Sequence, residues 1–246
     1  MRPWRALVLC YHAVSEDWPH DLSVGLETFE QQLTALLRRG FRPAAAQELL
    51  GNGSRLLHVT FDDAFTSVEE AVPVLERLGV PSTVFACSGF ADGGRALNVP
   101  ELATQVEMHP DDLATMDWDA LRTLAARGVE IGSHTVSHPH LTRLTDAELQ
   151  RELRESRERI ADELARPCRY LAYPFGDEDA RVRSAAAAAG YDGAFALPGR
   201  EDRIDRFALP RVGVYRRDSR LRLHLKTTAL IRRPAAGILR LAGRRR

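Results

Sequence analysis

Apolar residues along this chain fall into two alternating patterns. Short continuous runs at 6–11, 56–61, 83–87, 129–132, 170–173, 193–197 and 209–214 have strand length and no polar face, as strands buried on both sides do. Between them, apolar positions recur every three or four residues over 27–39, 67–78, 119–127, 146–164 and 178–189, which predicts amphipathic helices. Thr145 followed by Glu148 fits a capping box at the start of the fourth helix. Gly79, Gly128 and Gly190 fit C-terminal caps that feed the next strand. Strands separated by helices argue for a parallel α/β architecture, and both an open doubly wound sheet and a closed barrel satisfy the pattern. No G-x-G-x-x-G follows the first strand, which weakens the dinucleotide-binding version. Residues 89–117 are the longest irregular stretch and predict an inserted loop on the active-site side. No repeat or linker divides the body.

The chain has 246 residues and zero formal net charge, but the charge is unevenly placed. From Arg211 onward there are twelve basic residues against one acid, Asp218, so the body is acidic and the tail basic. The three cysteines, Cys10, Cys87 and Cys168, are widely spaced and read as buried thiols rather than a disulfide framework or a zinc knuckle. The apolar part of the N-terminus is short for a signal peptide, and no window reaches transmembrane length. The expected location is cytoplasmic, with membrane-peripheral attachment through the tail as the sharper alternative to a solvated extension. No recognition motif supports nucleic-acid binding.

Parallel α/β folds gather their strand C-termini on one face, and that face carries the site. Asp62 and Asp63 follow the second strand directly, and the fourth runs into His134, with His138 four residues on. One helical turn between them would set both imidazoles on one side. Two imidazoles and one carboxylate with open positions suit a catalytic divalent cation. Such a cation would remove the penalty of the Asp63 charge and let Asp62 stay ionised beside it. Alone, a D-D pair is ordinarily a solvated turn and H-x-x-x-H ordinarily binds no metal; their placement at strand ends on one face changes the balance. The fifth strand breaks at Pro174 and turns at Gly176, which leaves the Phe175 N–H free to face an oxyanion. The first strand ends in His12, an imidazole suited to general-acid work. His224, in the tail, is its rival.

The segments "TFDDA", "HTVSH" and "LAYPFG", in that order, resemble the polysaccharide deacetylases of the NodB-homology group, carbohydrate esterase family four, over roughly residues 6–214. The resemblance implies an α/β fold, a distorted (β/α)7 barrel in a single domain (1–214), followed by a basic C-terminal extension (215–246). It implies Asp62 as catalytic base and Asp63, His134 and His138 as ligands of one divalent metal ion, Zn2+ first, with Co2+, Ni2+ or Mn2+ as alternatives. Tyr173, Pro174 and Phe175 match the substrate-binding groove wall, and the Phe175 N–H matches the oxyanion donor. Two departures stand out. Ala64 replaces the family's usual glycine, and the arginine that the family places near the proline is absent, which makes Arg211 the candidate to orient Asp62. "LCYHAV", "TFEQQLTALLRRGF" and "LLHVTFDDAF" resemble the poly-N-acetylglucosamine deacetylase branch, in which the acid-bearing strand comes first; this favours His12 as a protonated general acid.

The implied activity is metal-dependent hydrolysis of N-acetyl groups on an amino-sugar glycan, releasing acetate. The alternatives are hydrolysis of another non-peptide C–N bond, in a cyclic amide or in peptidoglycan, and a non-catalytic carbohydrate-binding relative. The expected partners are an N-acetylated glycan and, through the tail, a membrane surface or a glycan-synthesis complex.

Overall fold

The computed structural model describes residues 6–51, 55–197 and 205–228. Most of the basic extension, residues 229–246, lies outside the described residues. In chain order the elements are β1 (Ala6–Tyr11), α1 (Leu26–Arg38), β2 (Arg42–Pro43), β3 (Leu56–Phe61), α2 (Val72–Leu78), β4 (Ser82–Ala86), α3 (Ala103–Met108), α4 (Trp118–Ala126), β5 (Glu130–Ser133), α5 (Asp146–Leu164), β6 (Tyr170–Ala172), α6 (Ala180–Ala188), β7 (Gly193–Ala196), β8 (Leu209–Pro210), β9 (Val212–Gly213) and α7 (Arg220–Lys226). All strand pairs are parallel, in the order β8-β7-β6-β5-β4-β3-β1-β9, with β2 added beside β3.

The run 209–214 is not one strand. Leu209 and Pro210 pair with β7, whereas Val212 and Gly213 pair with β1, so the chain crosses between the last and first strands at Arg211. Pro210 has no N–H to carry the ladder further, and the break falls there. The two ends of the sheet are thereby joined through Arg211, and the barrel is nearly closed.

Alternation along the strands separates an inner from an outer face. Ala6, Val8, Leu56, Phe85, Tyr170, Ala172, Phe195 and Leu209 form one cluster drawn from six strands, which is the barrel interior. Leu7, Leu9, Tyr11, Leu57, Val59 and Phe61 instead pack with Phe29, Leu33 and Leu36 of α1, under the helical layer. Counting on by twos along the inner face reaches Cys10 and His12 from β1, and Thr60 and Asp62 from β3. The pleat that buries the strands therefore also aims these side chains at the barrel mouth.

Other sequence expectations are sharpened. Helix α5 keeps its predicted bounds and its capping box: the Thr145 hydroxyl accepts from Glu148 N–H at 3.4 Å, and Thr145 N–H donates to Glu148 at 2.9 Å. The segment 67–78 begins as a 3-10 turn (Thr66–Ala71) and turns α-helical only at Val72, because Pro73 fits the first turn of a helix but not its interior. Residues 89–117 are not irregular throughout; they hold α3 and are tied down by bridges of Phe65 with Thr115 and Ala96 with Ala114. The expected boundary at 214 falls within the packed body, since Leu223 and Thr227 beyond it are buried and Gln32 of α1 donates to the Asp218 carbonyl. Among the described residues no helix is long and apolar enough to cross a membrane.

Candidate active site

Asp62 continues the β3 ladder, its N–H donating to the Tyr11 carbonyl at 3.0 Å. Asp63 and Ala64 then take φ +70° and +52°. The left-handed region costs a non-glycine residue roughly 1 kcal/mol or more, and it turns the second carboxylate away from the first. Asp62 meets Arg211 in a two-pronged ion pair: one guanidinium nitrogen lies 2.6 Å from Oδ1 and the other 2.9 Å from Oδ2. Arg211 also donates to the Thr60 hydroxyl at 3.1 Å and lies over the Phe85 ring, while the Cys10 thiol donates to Asp62 Oδ2 at 3.4 Å. Burial alone would push the Asp62 carboxyl upward, but Arg211, followed by His134, outweighs it and holds the group well below the usual carboxylate range. This side chain is ionised.

Asp63 is the opposite case. Burial, and then the neighbouring Asp62 charge, push its carboxyl well above the ordinary value, with Arg211 offsetting only part. Its Oδ1 lies 3.6 Å from His134 Nε2 and 3.4 Å from His138 Nε2 and has no hydrogen-bond partner. His134 Nδ1 is bonded to the Ala172 carbonyl at 2.8 Å. A carbonyl only accepts, so Nδ1 carries the hydrogen and Nε2 presents a lone pair toward Asp63. Three electron-pair donors thus converge on one point, with ligand atoms within 4.8 Å of one another. That donor set fits a divalent cation with open positions. Cys10, His12 and Asp62 are similarly close, but burial holds the Cys10 thiol protonated and Arg211 already neutralises Asp62, so that trio is no second donor set.

The two imidazoles do not converge through a helical turn. Thr135 and His138 have φ +72° and +61°, and the segment between β5 and Leu141 is irregular. Its shape is imposed from both sides. Ser88 and Gly89 N–H groups donate to the Thr135 and Val136 carbonyls at 3.1 and 2.9 Å, and Glu152 of α5 accepts from Val136 and Ser137 N–H at 2.8 and 3.0 Å. A β-carbon on Gly89 would sit 2.7 Å from the Val136 oxygen, so only glycine allows this approach. Glu152 was not a sequence candidate; an acid on the apolar face of α5 is the signal that would have found it.

These groups open into a cavity of about 330 Å³ bounded by His12, Asp62, Asp63, His134, His138 and Phe175, with Leu22, Val99, Leu102 and Leu197 as apolar wall. A larger groove of about 700 Å³, between α1 and α7, holds His224 and none of these residues. His12 therefore shares a cavity with the other site residues and His224 does not. His12 is half-buried and its Nδ1 has no partner. Burial pulls its pKa down to about 4, with Asp62 opposing, so it rests as neutral imidazole rather than the expected imidazolium.

The Pro–aromatic–Gly turn also differs from expectation. Tyr173 is fully buried, donating its hydroxyl to the Phe207 carbonyl at 2.8 Å, and Pro174 is buried too; neither lines the cavity. They anchor the turn, and Phe175 alone of the three faces the opening. Its ring, 41 % exposed, stacks on His140 at 4.1 Å and meets His138 edge-on at 4.5 Å. The turn closes through Gly176 N–H to Tyr173 O and Asp177 N–H to Pro174 O, both 2.9 Å, which does not consume the Phe175 N–H. At Gly176 a β-carbon would lie 1.5 Å from the Leu197 oxygen.

An ionised carboxylate locked beside a cation-type donor set, at the strand C-termini of a parallel barrel, is an arrangement suited to hydrolysis. The chain belongs to the polysaccharide deacetylase family: that family's model matches residues 51–194. YxkH of Bacillus subtilis, named "putative polysaccharide deacetylase", is 26 % identical over 223 residues, covering 87 % of this chain and 72 % of that one. A chitooligosaccharide deacetylase of Rhizobium leguminosarum bv. trifolii is 27 % identical over 125 residues, 50 % of this chain and 47 % of its own. The solved structure of IcaB from Ammonifex degensii shares the fold, with a TM-score of 0.75 at 23 % identity over 90 % of this chain and 96 % of that one. The protein is a polysaccharide deacetylase with the distorted barrel of that family.

Proposed function

We propose that this deacetylase removes N-acetyl groups from a glycan of N-acetylglucosamine type, with Asp63, His134 and His138 holding one divalent cation, Zn2+ by preference. The observation that carries the reading is the contrast between two adjacent carboxylates. Asp62 is ionised and paired, while Asp63 Oδ1 is buried, unpartnered and faced by two imidazoles. The name of the Rhizobium relative supports an N-acetylated amino-sugar substrate.

When bound, the cation supplies Lewis acidity that polarises an amide carbonyl and makes water acidic near neutral pH. The chain's own residues do the rest. Asp62, kept ionised by Arg211, takes the proton of the attacking water. Arg211 fixes the plane of that carboxylate and touches no substrate, so it acts by positioning. The Phe175 N–H faces the developing oxyanion. His12 starts neutral, collects the proton taken up by Asp62 and passes it to the departing nitrogen. Water's proton thus ends on the amine and its oxygen in acetate. The apolar wall of Leu22, Val99 and Leu102 suits the acetyl methyl group and limits water.

The test is acetate release from N-acetylglucosamine oligomers by the wild-type chain, before and after chelation and Zn2+ return. The reading predicts release that chelator stops and Zn2+ restores. Turnover indifferent to chelation, or confined to a cyclic amide, would replace it with one of the other hydrolase readings.

For the basic extension we propose contact with an anionic membrane surface. Leu221 and Leu225 are 69 % and 49 % exposed, one turn apart on α7, among arginines of the same helix. Binding to anionic but not neutral vesicles, lost on replacing Leu221 and Leu225 by Asp, is the expected result.

A further inference from the structure

Helix α5 turns Leu149, Leu153 and Ile160 inward, and on the same face it buries two polar side chains, Glu152 and Ser156. A buried carboxylate is costly unless its oxygens are satisfied. Glu152, 7 % exposed, is satisfied by one segment: Oε2 takes the Val136 and Ser137 N–H groups, and Oε1 takes the Ser137 hydroxyl at 2.7 Å. One helical turn on, Ser156 accepts from the Ser133 hydroxyl at 2.8 Å, and Ser133 in turn accepts from Thr135 N–H at 3.0 Å. Neither α5 residue lines the cavity.

The segment that Glu152 grips is the link between His134 and His138. Its positive φ values at Thr135 and His138 are not ones such residues keep unaided. Its amides point to α5 and its carbonyls to Ser88 and Gly89, so both edges of the peptide ribbon are fixed from outside. A carboxylate suits this task because it accepts at both oxygens and donates at neither; an amide could accept at one end only.

We propose that Glu152 is a positioning residue: through Val136 and Ser137 it fixes the turn between the two imidazoles and so sets the affinity and symmetry of the cation site. This rests on the reading of Asp63, His134 and His138 as that site, and it adds a residue outside the cavity to the machinery.

The experiment titrates the full chain, stripped with chelator, with Zn2+ by calorimetry and with Co2+ by visible absorption. E152A, E152M, E152Q and S137A are compared with H134A, and circular dichroism reports folding. Wild type is expected to bind one cation and H134A none. E152A should bind about 10- to 100-fold more weakly, as losing a partner that orients a ligand generally does, with an altered Co2+ spectrum. E152Q, whose one oxygen can still take both N–H groups, and S137A, which keeps both backbone bonds, should stay near wild type. A purely structural role would lower the Tm of stripped and loaded protein equally; a positioning role shrinks the rise in Tm on loading. Folded E152A with wild-type affinity and spectrum overturns the proposal and leaves the cation reading standing. If E152A does not fold, E152M, which fills the same space and accepts neither N–H, overturns it in the same way when its affinity and spectrum are unchanged. No cation uptake by wild type overturns both.

Discussion

The proposed site has two halves, one for the cation and one for the base, built by different means. The cation half, Asp63, His134 and His138, comes from two strand ends and is shaped by nearby backbone: positive-φ turns, the Ala172 carbonyl, and the grip of Glu152 and Gly89. The base half, Asp62, Arg211, Cys10 and His12, depends on the barrel closing. Its central ion pair joins residues 149 apart in sequence, across the seam between the last and first strands. The family match over residues 51–194 takes in all three cation donors and Asp62 but not His12 or Arg211. Local motifs can thus specify a place for a cation, whereas a poised base needs the finished fold.

The sharpest way to break this division is Arg211→Ala. It leaves a buried carboxylate without its partner, which costs about 3–5 kcal/mol of stability, and turnover should vanish. Cation binding by the protein that remains folded should persist, as calorimetry would show. Loss of the cation together with the arginine would mean the halves are not separable.

Acid should weaken the floor beneath the base half. His58 lies inside the barrel on β3, donating from Nδ1 to the Ala44 carbonyl and accepting at Nε2 from the Thr83 hydroxyl, both at 2.9 Å. Burial, opposed by the bond to Ala44, lowers its pKa from 6.5 to about 4. The unfolded chain takes the proton first, so the stabilisation is complete above the unfolded pKa. It drains as pH falls from 6.5 and is gone below about 4, amounting to about 3 kcal/mol. Denaturant midpoints across that range should fall more steeply for wild type than for His58→Gln.

On the cation side, Asp63→Asn removes a buried carboxyl whose ionisation is opposed by burial and by the Asp62 charge. The stripped protein should gain stability by about 1 kcal/mol while losing the rise in Tm on adding Zn2+. A stripped Asp63→Asn protein less stable than wild type would mean that this carboxyl already makes a favourable contact without the cation. The smallest effect belongs to Ala64→Gly: relief of the left-handed strain at φ +52° and the added chain entropy of glycine nearly cancel, leaving a change below about 1 kcal/mol.

Much of the fold was legible because buried parallel strands write themselves as short apolar runs; β1 and β3 begin and end where those runs do. Positions at strand ends were legible for the same reason, which is why Asp62, Asp63, His12 and His134 could be placed on one face from the chain alone. What escaped depends on contacts distant in sequence. The split of 209–214 follows from which strands flank Arg211, not from its own composition. A four-residue spacing suggested a helical turn at His134–His138, but Glu152 and Gly89 hold a different shape there. The resemblance implied a groove-wall role for Tyr173, yet the strand pleat turns its ring into the core.

The most direct test measures cation content and acetate release on one preparation of Asp62→Asn. The account predicts one equivalent of Zn2+ per chain, as in wild type, and no acetate from N-acetylglucosamine oligomers. Wild-type-like release, or a protein that no longer holds Zn2+, would contradict the assignment of base and cation donor to neighbouring carboxylates.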